Sequence, residues 1–184
     1  MRHNICIRLV IMACVLHLSS LMNAAATDLC DGDTLYKFFK IKKTWDSARE
    51  ECEFLGGRLA FINSESTHEK IRSHLNSVGN LMNSAGKGYW FGLNDIDNEG
   101  TYTFVGTGGI ELTYDAGWSS ERGRQQPNNS MKKDPNGQDC VQLWEQPPSP
   151  QTPKWNFDDA YCSNKKGYIC EIQNSGCGGG GNLG

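Results

Sequence analysis

Apolar residues follow two different periods in the first half of the chain and then thin out. Tyr36-Lys37-Phe38-Phe39-Lys40-Ile41 alternates well enough for an opening strand. Thr44 then stands as an N-cap, with Trp45, Ala48, Cys52 and Leu55 at helical spacing before Gly56-Gly57 ends the helix. Leu59-Ala60-Phe61-Ile62 reads as a short buried strand. Ser66 with Glu69 forms a capping box, and Ile71, Leu75 and Val78 give a second helix its inward face. Beyond residue 80 only strand-like pieces remain: Tyr89–Leu93, Tyr102–Val105, Cys140–Trp144 and Tyr168–Ile172. Asn94–Gly100 and Gly106–Gly109 read as turns, and Asp115–Asp139 is a long irregular loop almost without aliphatics. Gln146–Pro153, with its prolines, is expected to be a solvated excursion. A strand, two helices and then strands separated by long loops predict an α+β domain.

Both ends lie outside this pattern. Arg2 and Arg8 precede an apolar run from Leu9 to Leu18, and Asn23-Ala24-Ala25-Ala26 follows, which predicts a secretory signal peptide over 1–26. The run is short and polar-interrupted for a bilayer span, so no membrane span is expected. One domain then occupies 27–173, with a flexible Gly-rich tail over 174–184. Cleavage removes Arg2 and Arg8 and no acid, taking the net charge from −3 to −5. That excess of acid argues against a nucleic-acid partner, which needs a basic face. Cleavage also removes Cys6 and Cys14, leaving Cys30, Cys52, Cys140, Cys162, Cys170 and Cys177. An even set in a secreted, extracellular chain reads as three disulfides among fifteen possible pairings.

The chemistry gathers late in the chain. Gln126-Pro127-Asn128-Asn129, then Gln138-Asp139-Cys140, then Trp155-Asn156-Phe157-Asp158-Asp159 with Cys162 collect carboxylates and amides beside a proline turn. Oxygen donors of these kinds suit calcium (Ca2+), which takes six to eight of them. Zinc is disfavoured, because no Cys-x-x-Cys pair exists and His68 and His74 lie six apart on a helix where chelation wants four. Both histidines are expected to be solvated. No Ser-His-Asp or Cys-His arrangement is legible, so the chain is read as no enzyme.

Trp45-x-x-Ala48-x-x-x-Cys52, Trp90-Phe91-Gly92-Leu93, Asp139-Cys140-Val141, Trp155-Asn156 with Cys162, and Tyr168-Ile169-Cys170-Glu171 resemble a C-type lectin domain over about residues 35 to 173. The passage from Glu99 through Leu112 and Tyr114 to Trp118 is similar to mannose-binding collectins. The resemblance implies the C-type lectin fold, with disulfides Cys52–Cys170 and Cys140–Cys162. Its first and last strands pair antiparallel, so Cys30 and Cys177 are expected to meet across that pair, with an intermolecular bridge as the alternative. No collagen-like or coiled-coil segment is present, which leaves a disulfide-linked or non-covalent oligomer open.

In sugar-binding members one calcium is held by a Glu-Pro-Asn or Gln-Pro-Asp triplet, a later Glu and an Asn-Asp pair, and the same ligands receive two sugar hydroxyls. Carried over, the metal ligands are Gln126, Asn128, Gln138 and Asp159, with the carbohydrate contacts Gln126, Asn128, Gln138, Asn156, Asp158 and Asp159. Asn156 or Asp158 partners Asp159, since Trp155 to Cys162 is two residues longer than usual, and Pro127 is cis in the family. The loop from Asn128 to Gln138 is also longer than in collectins, so Asp134 is a substitute acid. A second calcium position draws on Asp95, Glu99 and Asp139, with Asn129 or Gln138; an ordinary acidic turn is the alternative for Asp95 and Glu99. Two features oppose the sugar reading. Gln126 and Gln138 stand where carboxylates are usual, and Asn128-Asn129-Ser130 is an N-glycosylation sequon whose glycan would fill the ligand's place. The implied function is a secreted, calcium-assisted carbohydrate-binding protein for glycans, mannose- or galactose-type undecided. The alternative is a domain of this family that binds a protein, ice or mineral surface without sugar chemistry.

Overall fold

Alternation in the sequence becomes a sheet in which the first and last described strands lie toward the same edge. In the computed structural model, which describes residues 28–78, 88–121, 124–145, 154–173 and 176–177, β1 (Leu29–Asp31) and β2 (Thr34–Lys43) form a hairpin leading into α1 (Trp45–Phe54). β3 (Arg58–Leu59), α2 (Glu65–Ser77), β4 (Gly88–Asn94) and β5 (Thr103–Phe104) follow. A 3-10 turn at Asp115–Gly117 leads to the small β6 (Ser120–Glu121) and β7 (Arg124–Gln125), then β8 (Cys140–Trp144), β9 (Asn156–Ala160) and β10 (Lys166–Ile172). The main sheet runs β1-β2-β10-β4-β8-β9, with β3 on β10 and β5 on β4. The β10–β4 pair is parallel and its neighbours are antiparallel. The first long strand and the last pair antiparallel as expected, Ile172 facing Leu35. Gln146–Pro153, the expected leader over 1–26 and most of the Gly-rich tail lie outside the described residues.

Two apolar clusters flank the sheet. One joins Phe38, Ile62, Ile71, Leu75, Tyr89, Phe91, Val141 and Phe157; the other joins Trp45, Ala48, Leu59, Trp90 and Tyr168. The disulfides Cys52–Cys170 and Cys140–Cys162 are formed. They fasten α1 to β10 and β8 to the segment after β9, which sparse aliphatics alone would not hold. In the chain-entropy picture each cross-link contributes roughly 3 to 5 kcal/mol. Thr44 caps α1 as expected, its side chain accepting from the Ser47 amide.

Two expectations need correction. The N-cap of α2 is Ser64, whose Oγ accepts the Thr67 amide, so Ser66 lies inside the first turn and the Ser66–Glu69 box does not form. His68 is fully buried, not solvated. It shares the inward stripe of Ile71 and Leu75 at positions i, i+3 and i+7, a stripe that counting apolar residues alone leaves blank at 68. His74 is half-buried with its ring 4.7 Å from that of Phe38. A carbonyl can only accept, so His68 Nε2 carries the proton it donates to the Trp155 carbonyl at 2.7 Å. Nδ1 then faces the Tyr114 hydroxyl at 3.3 Å.

Burial drives the His68 pKa down to about 4, with the Arg72 guanidinium pushing the same way and the Trp155 contact opposing. The unfolded chain therefore binds this proton more readily than the folded one below about pH 6.5. Stability from this residue is complete above that pH and is lost as pH falls toward about 4, by roughly 3 kcal/mol at most. His68→Gln keeps an N–H for Trp155 and cannot titrate. The wild-type-minus-variant stability, followed by denaturant melts across this window, should fall on acidification; a flat difference would contradict the assignment.

Candidate functional site

The long loop is tied to the sheet by short backbone links. Gly117 packs so tightly on Phe157 that a β-carbon there would come within 2.6 Å of the ring. This close approach lets the Ser119 amide donate to the Phe157 carbonyl at 3.0 Å, while the Gln126 amide donates to the Ser119 carbonyl at 2.9 Å. Gln126 is thus delivered beside β9, and the Gln126–Pro127 bond is cis. Asp159, 1 % exposed, receives the next two amides of the chain. Its Oδ2 accepts from Asn128 N at 3.0 Å and from Asn129 N at 2.6 Å, and its Oδ1 takes a longer contact from Asn128 N at 3.2 Å.

The remaining loop closes on itself. Asn129 Oδ1 accepts the Gln138 amide at 2.7 Å across Gly137, where φ is +97° and a β-carbon would collide with Asn129. Gln138 Oε1 accepts from Ser130 N, and its Nε2 donates to the Asp159 carbonyl, both at 3.1 Å. The exposed Asn128 donates Nδ2–H to Gln126 Oε1 at 2.6 Å. Gln126, Asn128, Gln138 and Asp159 therefore form one network, in which each side-chain oxygen of Gln126, Gln138 and Asp159 already accepts an N–H.

The other two carbohydrate candidates lie elsewhere. Successive residues of a strand face opposite ways. Asp159 shares its face with Val141 and Phe157, whereas Asp158 pairs with Gln142 on the other and accepts its amide at 2.6 Å. Burial raises the Asp158 pKa to about 6, with Asp159 adding and Gln142 and Lys166 opposing. Asn156 accepts from Arg72 of α2 at 2.7 Å. Neither joins the Gln126 network. Tyr161, not singled out in the sequence, supports the loop from beneath: its hydroxyl accepts the Lys133 amide at 3.1 Å and donates to Ser130 at 3.4 Å. Its place directly before Cys162 was the available signal.

The second set is joined through the backbone. The Asp95 amide donates to the Asp139 carbonyl at 3.0 Å, and Asp95 Oδ2 accepts from Gly100 N at 2.9 Å. Asp95 Oδ1 and Asp139 Oδ1 are buried without a hydrogen-bond partner among the described residues. Burial first, then Glu99 and Asp139, raises the Asp95 pKa to about 6 against the Gly100 and Tyr102 hydrogen bonds. Burial, Glu99 and Asp134 likewise raise Asp139, and burial with Glu99 outweighs the Asn128 and Asn129 amides to raise Asp159. Asp134 adds charge beside Asp139 and does not join Asp159; its Oδ1 accepts the Asn136 amide at 3.0 Å.

The Lectin C-type domain family matches residues 41–172, most of the chain. The chain belongs to the C-type lectin domain family. Among similar proteins, Salivary C-type lectin 1 of Aedes albopictus is 27% identical over 148 residues, 80% of this chain and 88% of that protein. A perlucin-like protein of Mytilus galloprovincialis is 31% identical over 137 residues, 73% of this chain and 74% of that protein. The mouse scavenger receptor C-type lectin carbohydrate-recognition domain superposes with TM-score 0.62 at 23% identity, over 79% of this chain and 95% of that one. The cow CD23 domain, solved in the presence of GlcNAc2Man3 oligosaccharide, gives 0.59 at 24% identity, over 80% and 93%. These superpositions establish the C-type lectin fold.

Calcium, which family members typically bind, does not fit both places in this C-type lectin domain equally. The Gln126 network offers one carboxylate, and its side-chain oxygens are engaged by N–H donors; as arranged, it does not suit a cation. Asp95 and Asp139 fit one better, since each keeps a buried carboxylate oxygen with no hydrogen-bond partner among the described residues, and a divalent ion relieves such like-charged oxygens. Glu99 is exposed, and among the described residues no three acidic, His or Cys groups already converge on a point. Glu99 would have to swing in to complete the set. Asp159→Asn presents an amide to two N–H groups in place of a carboxylate. It should destabilise the loop by about 1–3 kcal/mol and raise proteolysis between Gly117 and Asp139; unchanged cleavage would contradict the clasp.

Proposed function

We propose that the protein is a secreted, non-enzymatic carbohydrate-binding lectin assisted by calcium. The observation that carries this reading is the clasp of Asp159 on Asn128 and Asn129, which sets the Gln126 and Asn128 amides side by side on an exposed ledge. Paired amides beside a carboxylate offer the donors and acceptors that two neighbouring hydroxyls need. Gln138 lines the same ledge, while Asn156 and Asp158 are left to the scaffold. Asp95 and Asp139, with Glu99, are the residues that would hold calcium; the ion would supply neutralising charge there. Neutral amides make weaker contacts than carboxylates, so a single domain should bind glycans at about 1 mM, roughly −4 kcal/mol. The hybrid triplet carries neither the mannose-type nor the galactose-type asymmetry. Among the described residues no helix is long and apolar enough to cross a membrane. His68, a fully buried histidine, is engaged by Trp155 and Tyr114 rather than by the ledge.

A second reading, binding of a protein, ice or mineral surface without sugar chemistry, is favoured by the engaged oxygens of the Gln126 network. A glycan array separates the two. The protein should be displayed as multimers with millimolar calcium and with chelator, alongside Ser130→Ala, which removes the sequon at Asn128 and keeps the Ser130 amide. Chelator-sensitive spots on the variant support the lectin. An array blank for both proteins supports the second reading. Calcium should also protect the loop: chelation is expected to raise cleavage between Gly117 and Asp139, and an unchanged pattern would contradict calcium at Asp95 and Asp139.

A further inference from the structure

Cys30 on β1 and Cys177 beyond β10 take part in neither of the two formed disulfides. Three strands bring them together. Cys30 on β1 faces Leu35 on β2, and Ile172 on β10 faces the same Leu35 from the other side. Strands lie about 4.8 Å apart, so Cys30 and Ile172 are roughly 10 Å apart across this row. The chain closes that gap beyond β10. Gly176 adopts φ +67°, and Cys177 Sγ lies 3.5 Å from the Thr34 carbonyl and 3.9 Å from that of Gly32. Gly32 lies in the β1–β2 turn and Thr34 opens β2, both within two residues of the rung that holds Cys30. We propose that Cys30 and Cys177 of one chain form a third disulfide that joins the opening hairpin to the segment after the final strand.

The thiol of Cys30 has its pKa raised chiefly by a hydrogen bond with Cys177, with burial secondary, which agrees with adjacent sulfurs. Cys30 is exposed and within reach of an external disulfide of the kind secretory compartments supply. The Cys30 thiolate attacks one sulfur of that disulfide and releases the other as a thiol. The Cys177 thiolate then attacks the Cys30 sulfur of the mixed disulfide and releases the second thiol. Two protein S–H bonds become one S–S bond; the two electrons and two protons end on the external pair. Cys30 and Cys177 are nearly as far apart in sequence as two described residues can be, so the bridge would close almost the whole domain into a loop. It would fasten both chain ends at the β1–β2 edge, on the side of the sheet away from β9 and the glycan ledge. The inference is independent of the sugar reading and survives its failure.

The full chain, secreted from a eukaryotic host, should be purified without reductant, denatured, alkylated and mapped. Trypsin leaves Cys170 and Cys177 in one peptide, so a second cut after Glu171 is required. The expected result is a monomer in which Cys30 and Cys177 escape alkylation and their peptides travel together until reduced. Alkylation of both residues, a Cys30 or Cys177 link between chains on a non-reducing gel, or either residue paired with another cysteine would overturn the proposal. Cys177→Ser and Cys30→Ser should each leave the remaining partner alkylatable and lower Tm by about 5 to 10 °C. The double variant should melt with the singles; a Tm equal to wild type in all three would count against the bridge.

Discussion

One buried carboxylate fixes the working face of the molecule. Asp159 projects from β9 toward a stretch of chain that has little apolar surface of its own, and it holds that stretch by two consecutive amides. A carboxylate that accepts several backbone N–H groups is ordinarily driven to a low pKa. Here desolvation and the nearby Glu99 win, and the group sits above its ordinary value. The clasp is therefore built at an electrostatic cost, and the cost falls next to Asp95 and Asp139, where two further carboxyls are also raised. Charge compression of this kind is relieved most directly by a bound cation.

The two halves of the site differ in character. On the Gln126 side, amides predominate and hydrogen bonds within the loop satisfy them. On the Asp95 side, Asp95 and Asp139 each keep one oxygen that no donor among the described residues reaches. A lectin built this way would use calcium to order the loop and use amides to touch the glycan.

Much of the fold was legible because its signals are local. Thr44 before Trp45, Ala48 and Cys52 at helical spacing, and the apolar run from Tyr89 to Leu93 each specify an element without reference to distant residues. The disulfides came only from the family resemblance, since six cysteines permit many pairings. β9 was read as a ligand-bearing piece with Asp158 and Asp159 side by side, although a pleated strand must turn them to opposite faces. His68 was misplaced because burial of a polar side chain depends on partners, here the Trp155 carbonyl and the Tyr114 hydroxyl, that lie far away in sequence. Tyr161 and the self-satisfied state of Gln126, Gln138 and Asp159 are likewise long-range facts with no local signature.

Calcium binding at Asp95 and Asp139 is the point on which the proposed function depends. Isothermal titration of the secreted protein with calcium should show one ion per chain at about millimolar affinity, as extracellular calcium modules do. Asp95→Asn with Asp139→Asn should remove the heat, and Gln126→Ala should leave it in place. No heat in the wild type, or heat that disappears with Gln126 and survives loss of both aspartates, would contradict the account.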